Sequence, residues 1–160
     1  MTHQCPYCKK IYKQEQTLIV HVCEQKRRAF AKNDKHVIVG FTAFNRFYTL
    51  LHKCTKLKTY EEFCASPFYN AFVKFGSFVN NVDPLYPDKF IDYVVCSGVK
   101  IDDWCKDGLY DKYVVALLKS ENVETALTRS ITYMDKWATE NHVSWNQYFN
   151  LVKSTRFTFD

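Results

Sequence analysis

Glycine and proline are scarce in this chain, four of each in 160 residues. The four glycines stand apart from one another, so there is no glycine-rich loop whose backbone amides could cradle a nucleotide phosphate. Long apolar runs are missing too. No stretch approaches the roughly 18 residues of a membrane-spanning helix, and the opening MTHQCPYCKK lacks a signal peptide's apolar region. A cytoplasmic protein with no membrane partner is therefore expected. Internal repeats and low-complexity segments are absent. Acids are missing from one long stretch: none lies between Asp34 and Glu61.

That gap makes the charge lopsided. Residues 1–60 carry twelve Lys and Arg against Glu15, Glu24 and Asp34, a balance of +9, although the whole chain is only +5. The rest of the chain is net acidic. Aromatics are plentiful, with 13 Phe, 11 Tyr and 3 Trp, and 47% of residues are hydrophobic. A chain of about one domain's length with that composition can bury a substantial core, which argues against disorder.

The segment Cys5–Cys23, CPYCKKIYKQEQTLIVHVC, is the one whose residue types require a particular chemistry. Cys5 and Cys8 have the spacing at which a tight turn brings two thiolates to one zinc ion at about 2.3 Å. Twelve residues later comes His21, and Tyr12 and Leu18 lie between as a small apolar core. This run resembles the Cys2His2 zinc-finger family, which implies a ββα module, a short hairpin followed by a helix, and a bound Zn2+. The pattern departs at the fourth ligand. Gln25, Lys26 and Arg27 stand where a second His is expected, and Cys23 is the nearest substitute. On a continuous helix His21 and Cys23 would point about 200° apart, so the helix must tighten or stop near His21 if Cys23 binds. Otherwise His3, His36, Cys54 or Cys64 would complete the site. Seven cysteines suit a reducing compartment, with Cys54, Cys64, Cys96 and Cys105 as small core residues.

The expected architecture is mainly α: a zinc-finger module with a basic extension over residues 1–30, a helical body of six or seven helices over 36–153, and a tail at 154–160. The finger helix is expected from about Gln14 to His21 or beyond. Val37, Phe41, Phe44, Tyr48 and Leu51 recur at steps of three and four and mark a central helix, capped by Asn33 or Asp34. Thr59 with Glu62 forms a capping-box pattern, as does Ser144 with Gln147. Ser66 and Pro67 read as N-cap and first turn of a helix burying Phe68, Phe72, Phe75 and Val79, with Gly76 allowing a close crossing. Pro87 opens the next helix and Gly98 ends it. Asp102 is expected to cap a turn at Trp104. Ser120 is expected to cap a long helix whose inward residues are Val123, Leu127, Ile131, Met134 and Trp137.

Asp102, Asp103, Asp107 and Asp111 invite a divalent-metal reading, but Gly108 interrupts the row and a solvated acidic face accounts for it. No enzyme is expected. The expected function is nucleic-acid binding, DNA before RNA, with phosphate contacts from Lys9, Lys10, Lys13, Lys26, Arg27, Arg28, Lys32 and Lys35. A protein partner is expected at the helical body or the tail. The alternative is an adaptor in a larger assembly, with the zinc module as folding staple. The body is similar in style to small accessory proteins of large tailed bacteriophages, which implies a role in phage transcription, replication or assembly.

Overall fold

The computed structural model describes residues 2–152; the expected tail peptide lies outside them. The described chain is mainly helical, with one two-stranded sheet at its start. It divides into two compact units, residues 1–109 and 110–160.

The first unit begins with strands β1 (His3–Gln4) and β2 (Ile11–Tyr12), antiparallel with His3 opposite Tyr12. Helices α1 (Glu15–Ile19) and α2 (Glu24–Phe30) follow, then a 3-10 turn over Ala31–Asn33. The body of the unit is α3 (Lys35–Leu51), α4 (Tyr60–Ala65), α5 (Tyr69–Val82) and α6 (Pro87–Cys96). The expected central helix is α3. Asp34 stands at its N-cap position without a side-chain bond to the helix.

Helices α3 and α5 cross in backbone contact. A Cβ on Gly76 would fall 2.0 Å from the His36 carbonyl oxygen and 2.8 Å from the Gly40 amide nitrogen. A Cβ on Gly40 would fall 2.7 Å from the Phe72 carbonyl oxygen. Two glycines facing each other let the axes approach closer than any side chain allows. The approach brings the flanking rings together. Phe44 meets Phe63 at 5.1 Å and Phe72 at 5.3 Å, and Trp104 packs edge-on against Phe72 and Phe75. Such pairs add about 0.5–1.5 kcal/mol each beyond burial. Phe63, Phe72, Phe75, Phe90 and Trp104 are wholly buried, and the Trp104 indole N–H donates to the Val99 carbonyl at 2.9 Å.

Local signals hold in part. The Thr59–Glu62 capping box forms in both directions, Pro87 is the first residue of α6, and Gly98 follows that helix with a positive φ. Ser66 does not cap α5. Its hydroxyl accepts from the Phe68 amide in a separate turn, and α5 begins at Tyr69, leaving Phe68 exposed. Asp102 lies within a 3-10 turn, Ile101–Asp103, and makes no cap. Cys64 is buried as expected, whereas Cys96 is exposed.

The second unit holds most of α7 (Asp107–Ser120), then α8 (Val123–Asn141), a 3-10 turn over Trp145–Gln147, and α9 (Tyr148–Leu151). Asn122, not Ser120, caps α8, its side chain accepting from the Thr125 amide at 2.7 Å. Ser144 makes no capping bond, because the 3-10 turn takes the place of a first α-turn. Ala138 and Tyr148 are buried, with Trp137 edge-on to Tyr148 at 5.1 Å. Val123, Leu127 and Ile131 are exposed rather than inward, so only the second half of the α8 stripe packs.

The glycine crossing generates a test. Gly76→Ala forces a methyl into a backbone carbonyl and should cost about 3 kcal/mol or more in urea unfolding. Gly108→Ala, where an added Cβ meets nothing within 4 Å, should leave stability unchanged or raise it by about 0.4–1 kcal/mol.

Candidate metal centre

The β1–β2 hairpin is closed by the Cys5 amide donating to the Lys10 carbonyl at 2.8 Å and the Lys9 amide donating to the Cys5 carbonyl at 3.0 Å. Lys9 takes a left-handed conformation, φ 61°, to complete the turn. This geometry points the Cys5 and Cys8 thiols the same way.

The other two ligand candidates arrive because α1 is short. It lasts five residues and ends at Ile19, and the His21 amide closes a tight final turn onto the Leu18 carbonyl at 3.2 Å. The backbone is then extended at Cys23, φ −117° and ψ 162°, where Cys23 becomes the N-cap of α2. The expected helix running to His21 is thus cut by two residues. Thr17, Ile19, Val20 and Val22 are β-branched, and their restricted χ1 freedom disfavours a longer helix. The stop removes the 200° separation that a continuous helix would impose.

Cys5 Sγ, Cys8 Sγ, a His21 ring nitrogen and Cys23 Sγ all lie within 4.8 Å of one another. In an ideal tetrahedral site with metal–sulfur bonds of about 2.3 Å, sulfurs stand about 3.8 Å apart, so the four atoms fit a metal ion with small adjustment. His3, His36, Cys54 and Cys64 stand outside this cluster. Cys5 is 1% exposed and the other three are half-buried.

The surroundings favour thiolate ligands unequally. The backbone N–H of Cys8, outweighing burial, holds the Cys5 thiol below its ordinary pKa. For Cys8 the strongest single influence is the Lys10 amide, which lowers the value, but burial and the neighbouring Cys5 and Cys23 thiols together push it up. Three thiols this close resist ionising together unless a cation joins them. At Cys23 the Lys26 amide donates to the sulfur at 3.4 Å.

The imidazole is held from behind. Its Nε2 lies 3.3 Å from Cys8 Sγ, and its Nδ1 lies 2.9 Å from the Tyr12 hydroxyl. When Nε2 serves as ligand, the proton sits on Nδ1 and donates to the Tyr12 oxygen, which fixes both tautomer and ring orientation. Sequence reasoning assigned Tyr12 to the small core alone. Burial, and then the three thiols, raise the Tyr12 pKa and keep its hydroxyl protonated.

The basic residues divide by what they touch. Lys10, Lys13 and Lys35 are exposed and have no ion pair among the described residues. Lys9 donates to the Pro6 carbonyl, Lys26 to the His21 carbonyl, and Lys32 lies over the Tyr60 ring. Arg27 pairs with Glu24 at 2.9 Å on the surface. Arg28 departs from its expected phosphate role. Its side chain is 12% exposed, pairs with Glu24, donates to the Cys64 and Ser66 carbonyls at 2.8 and 3.3 Å, and covers the Tyr69 ring. Those acceptors lie 36 and 38 residues away, beyond the reach of a local reading of the basic run.

Chelation should separate ligand from scaffold. Tyr12→Phe leaves all four ligands in place and should weaken metal binding by roughly 10- to 100-fold in competition with a chromogenic chelator. Cys23→Ala should cost more than that, and His36→Ala should leave metal affinity at the wild-type value. No family model, curated protein or solved structure matches this chain.

Proposed function

We propose that this protein binds nucleic acid through its amino-terminal module, and that a zinc ion holds the module in shape. Three thiolates and one imidazole whose ligand atoms lie within 4.8 Å of one another are a donor combination that suits zinc, and all four positions are taken by protein, as in structural rather than catalytic zinc sites. A ligand set rich in reduced cysteine also suits a reducing compartment such as the cytoplasm.

The observation that carries the reading is a set of exposed cations without an ion pair among the described residues, Lys10 and Lys13 in the cluster's own module and Lys35 at the start of α3, all in the half of the chain whose balance is +9. Three thiolates on one Zn2+ remove a single unit from that balance, so the field there stays strongly positive. Polyanions are the partners such a field gathers, and each neutralised phosphate releases counterions. DNA is the preferred polyanion. Service in phage transcription, replication or assembly belongs to the same proposal through the style of the helical body.

A second reading, an adaptor in a protein assembly, has one observation of its own. Val123, Leu127 and Ile131 form an exposed apolar row at four-residue steps on α8, which suits a protein partner. The two readings concern different units and are compatible.

Fluorescence anisotropy with labelled oligonucleotides across a salt series tests the first. Affinity should fall linearly in log–log form with salt, and Lys10→Gln with Lys13→Gln should reduce the slope by about two if each meets a phosphate. Binding should vanish on chelation and return with zinc. Arg28→Ala should act differently, lowering unfolding stability by about 2 kcal/mol or more through its lost bonds to carbonyls, with little effect on the slope.

A further inference from the structure

The module presents two exposed aromatic rings from distant parts of the chain. Tyr7 sits in the turn between the first two cysteines and is 41% exposed; Phe30 ends α2 and is 71% exposed. Their centroids lie 6.2 Å apart at an interplanar angle of 46°. Lys9 and Lys10 follow Tyr7 in the hairpin turn, and Lys26 and Arg27 precede Phe30 by four and three residues on α2, the spacings that share a helix face. Basic side chains therefore flank the ring pair on both sides.

A second observation concerns α1. A Cys2His2 finger reads duplex DNA through residues at −1, 3 and 6 from the start of its helix, laid into the major groove. Here those positions are Gln14, Thr17 and Val20. The helix ends at Ile19, and Val20 is already its C-cap. The third of these positions thus falls on the capping residue of a helix of five residues, about 7.5 Å long, with no further turn to lie along a groove.

We infer that the module recognises single-stranded nucleic acid, with unpaired bases stacked on Tyr7 and Phe30 and phosphates held by the flanking Lys10 and by Lys13, which follows β2. This rests on the nucleic-acid reading above and names its substrate class. Stacking needs exposed ring faces beside cations, and it is indifferent to base identity because every base has a π-face. The rings touch too closely to leave a slot between them, so a base stacks on the side each turns to solvent. A purely structural role for the pair, joining the hairpin turn to the end of α2, would leave Phe30 less exposed than it is.

The test compares three labelled probes on the full zinc-loaded chain: a twelve-nucleotide oligothymidine strand, the same strand paired with oligoadenine, and an abasic strand of equal length that keeps the phosphates without bases. The oligothymidine strand should bind more tightly than the duplex or the abasic strand. Phe30→Ala should weaken it by roughly 5- to 150-fold and leave the abasic strand unaffected. Phe30→Leu, which keeps apolar bulk without a ring, should lose nearly as much. Zinc content and melting temperature of both variants should match the wild type, a result that a packing role for Phe30 would not give.

Duplex binding as tight as single-strand binding, or Phe30→Ala within twofold of wild type on the oligothymidine strand, overturns the stacking inference and leaves the nucleic-acid reading standing. Lowered melting temperature in both variants with unchanged relative probe affinities also overturns it, assigning the rings to packing. No binding to any of the three probes overturns both readings and gives the exposed rings to a protein surface.

Discussion

Two helices touching backbone to backbone set the terms for the first unit. Gly40 and Gly76 face each other where α3 crosses α5, and the nearest added methyl would meet a carbonyl at 2.0 Å. Close approach of the axes is what lets Phe44, Phe63, Phe72, Phe75 and Trp104 interlock into one ring cluster instead of standing in separate layers. An aromatic core is intolerant of small displacements, because its edge-to-face preferences fall off as centroids separate. The scarcity of glycine then has a physical sense: two of only four are used at a single contact.

The Cys5–Cys8–His21–Cys23 cluster attaches to this core through α2. Arg28 reaches the Cys64 and Ser66 carbonyls and covers Tyr69, while the Tyr60 hydroxyl donates back to the Arg28 carbonyl at 2.6 Å. Cys23 is five residues earlier on the same short helix, at its N-cap. One helix thus carries a ligand at one end and the anchor in its middle. Among the described residues, Cys5, Cys8 and His21 make no side-chain hydrogen bond to the helical body; the hairpin turn and the Tyr12 hydroxyl position them.

Legibility from sequence followed the range of the interaction. The Cys5–Cys8 spacing, His21, the Thr59–Glu62 box and Pro87 act over a few residues or through a fixed ligand geometry, and they were readable. Gly76 was readable as a crossing because a glycine among phenylalanines at helical spacing has few other uses. Ser144 with Gln147 carries the same signature as Thr59 with Glu62, yet only the latter forms, since the segment after Ser144 begins as a 3-10 turn and yields four α-helical residues. The α8 stripe shows the limit of periodicity. Regular spacing of Val123, Leu127 and Ile131 reveals an apolar face and says nothing about whether anything covers it. Arg28 failed for the opposite reason, because its partners are brought in by α4 and the turn after it.

Cys23 joins these two themes. A spacing of one residue between His21 and Cys23 is incompatible with both side chains serving one ion from a helix, and a reading based on the Cys2His2 pattern counts it as a defect. The structure ends the helix early and restarts it at the cysteine, and that stop brings Cys23 to the cluster. Helix length and cluster geometry are therefore linked through the β-branched run around residues 17–22: a longer helix would carry Cys23 away from Cys5, Cys8 and His21.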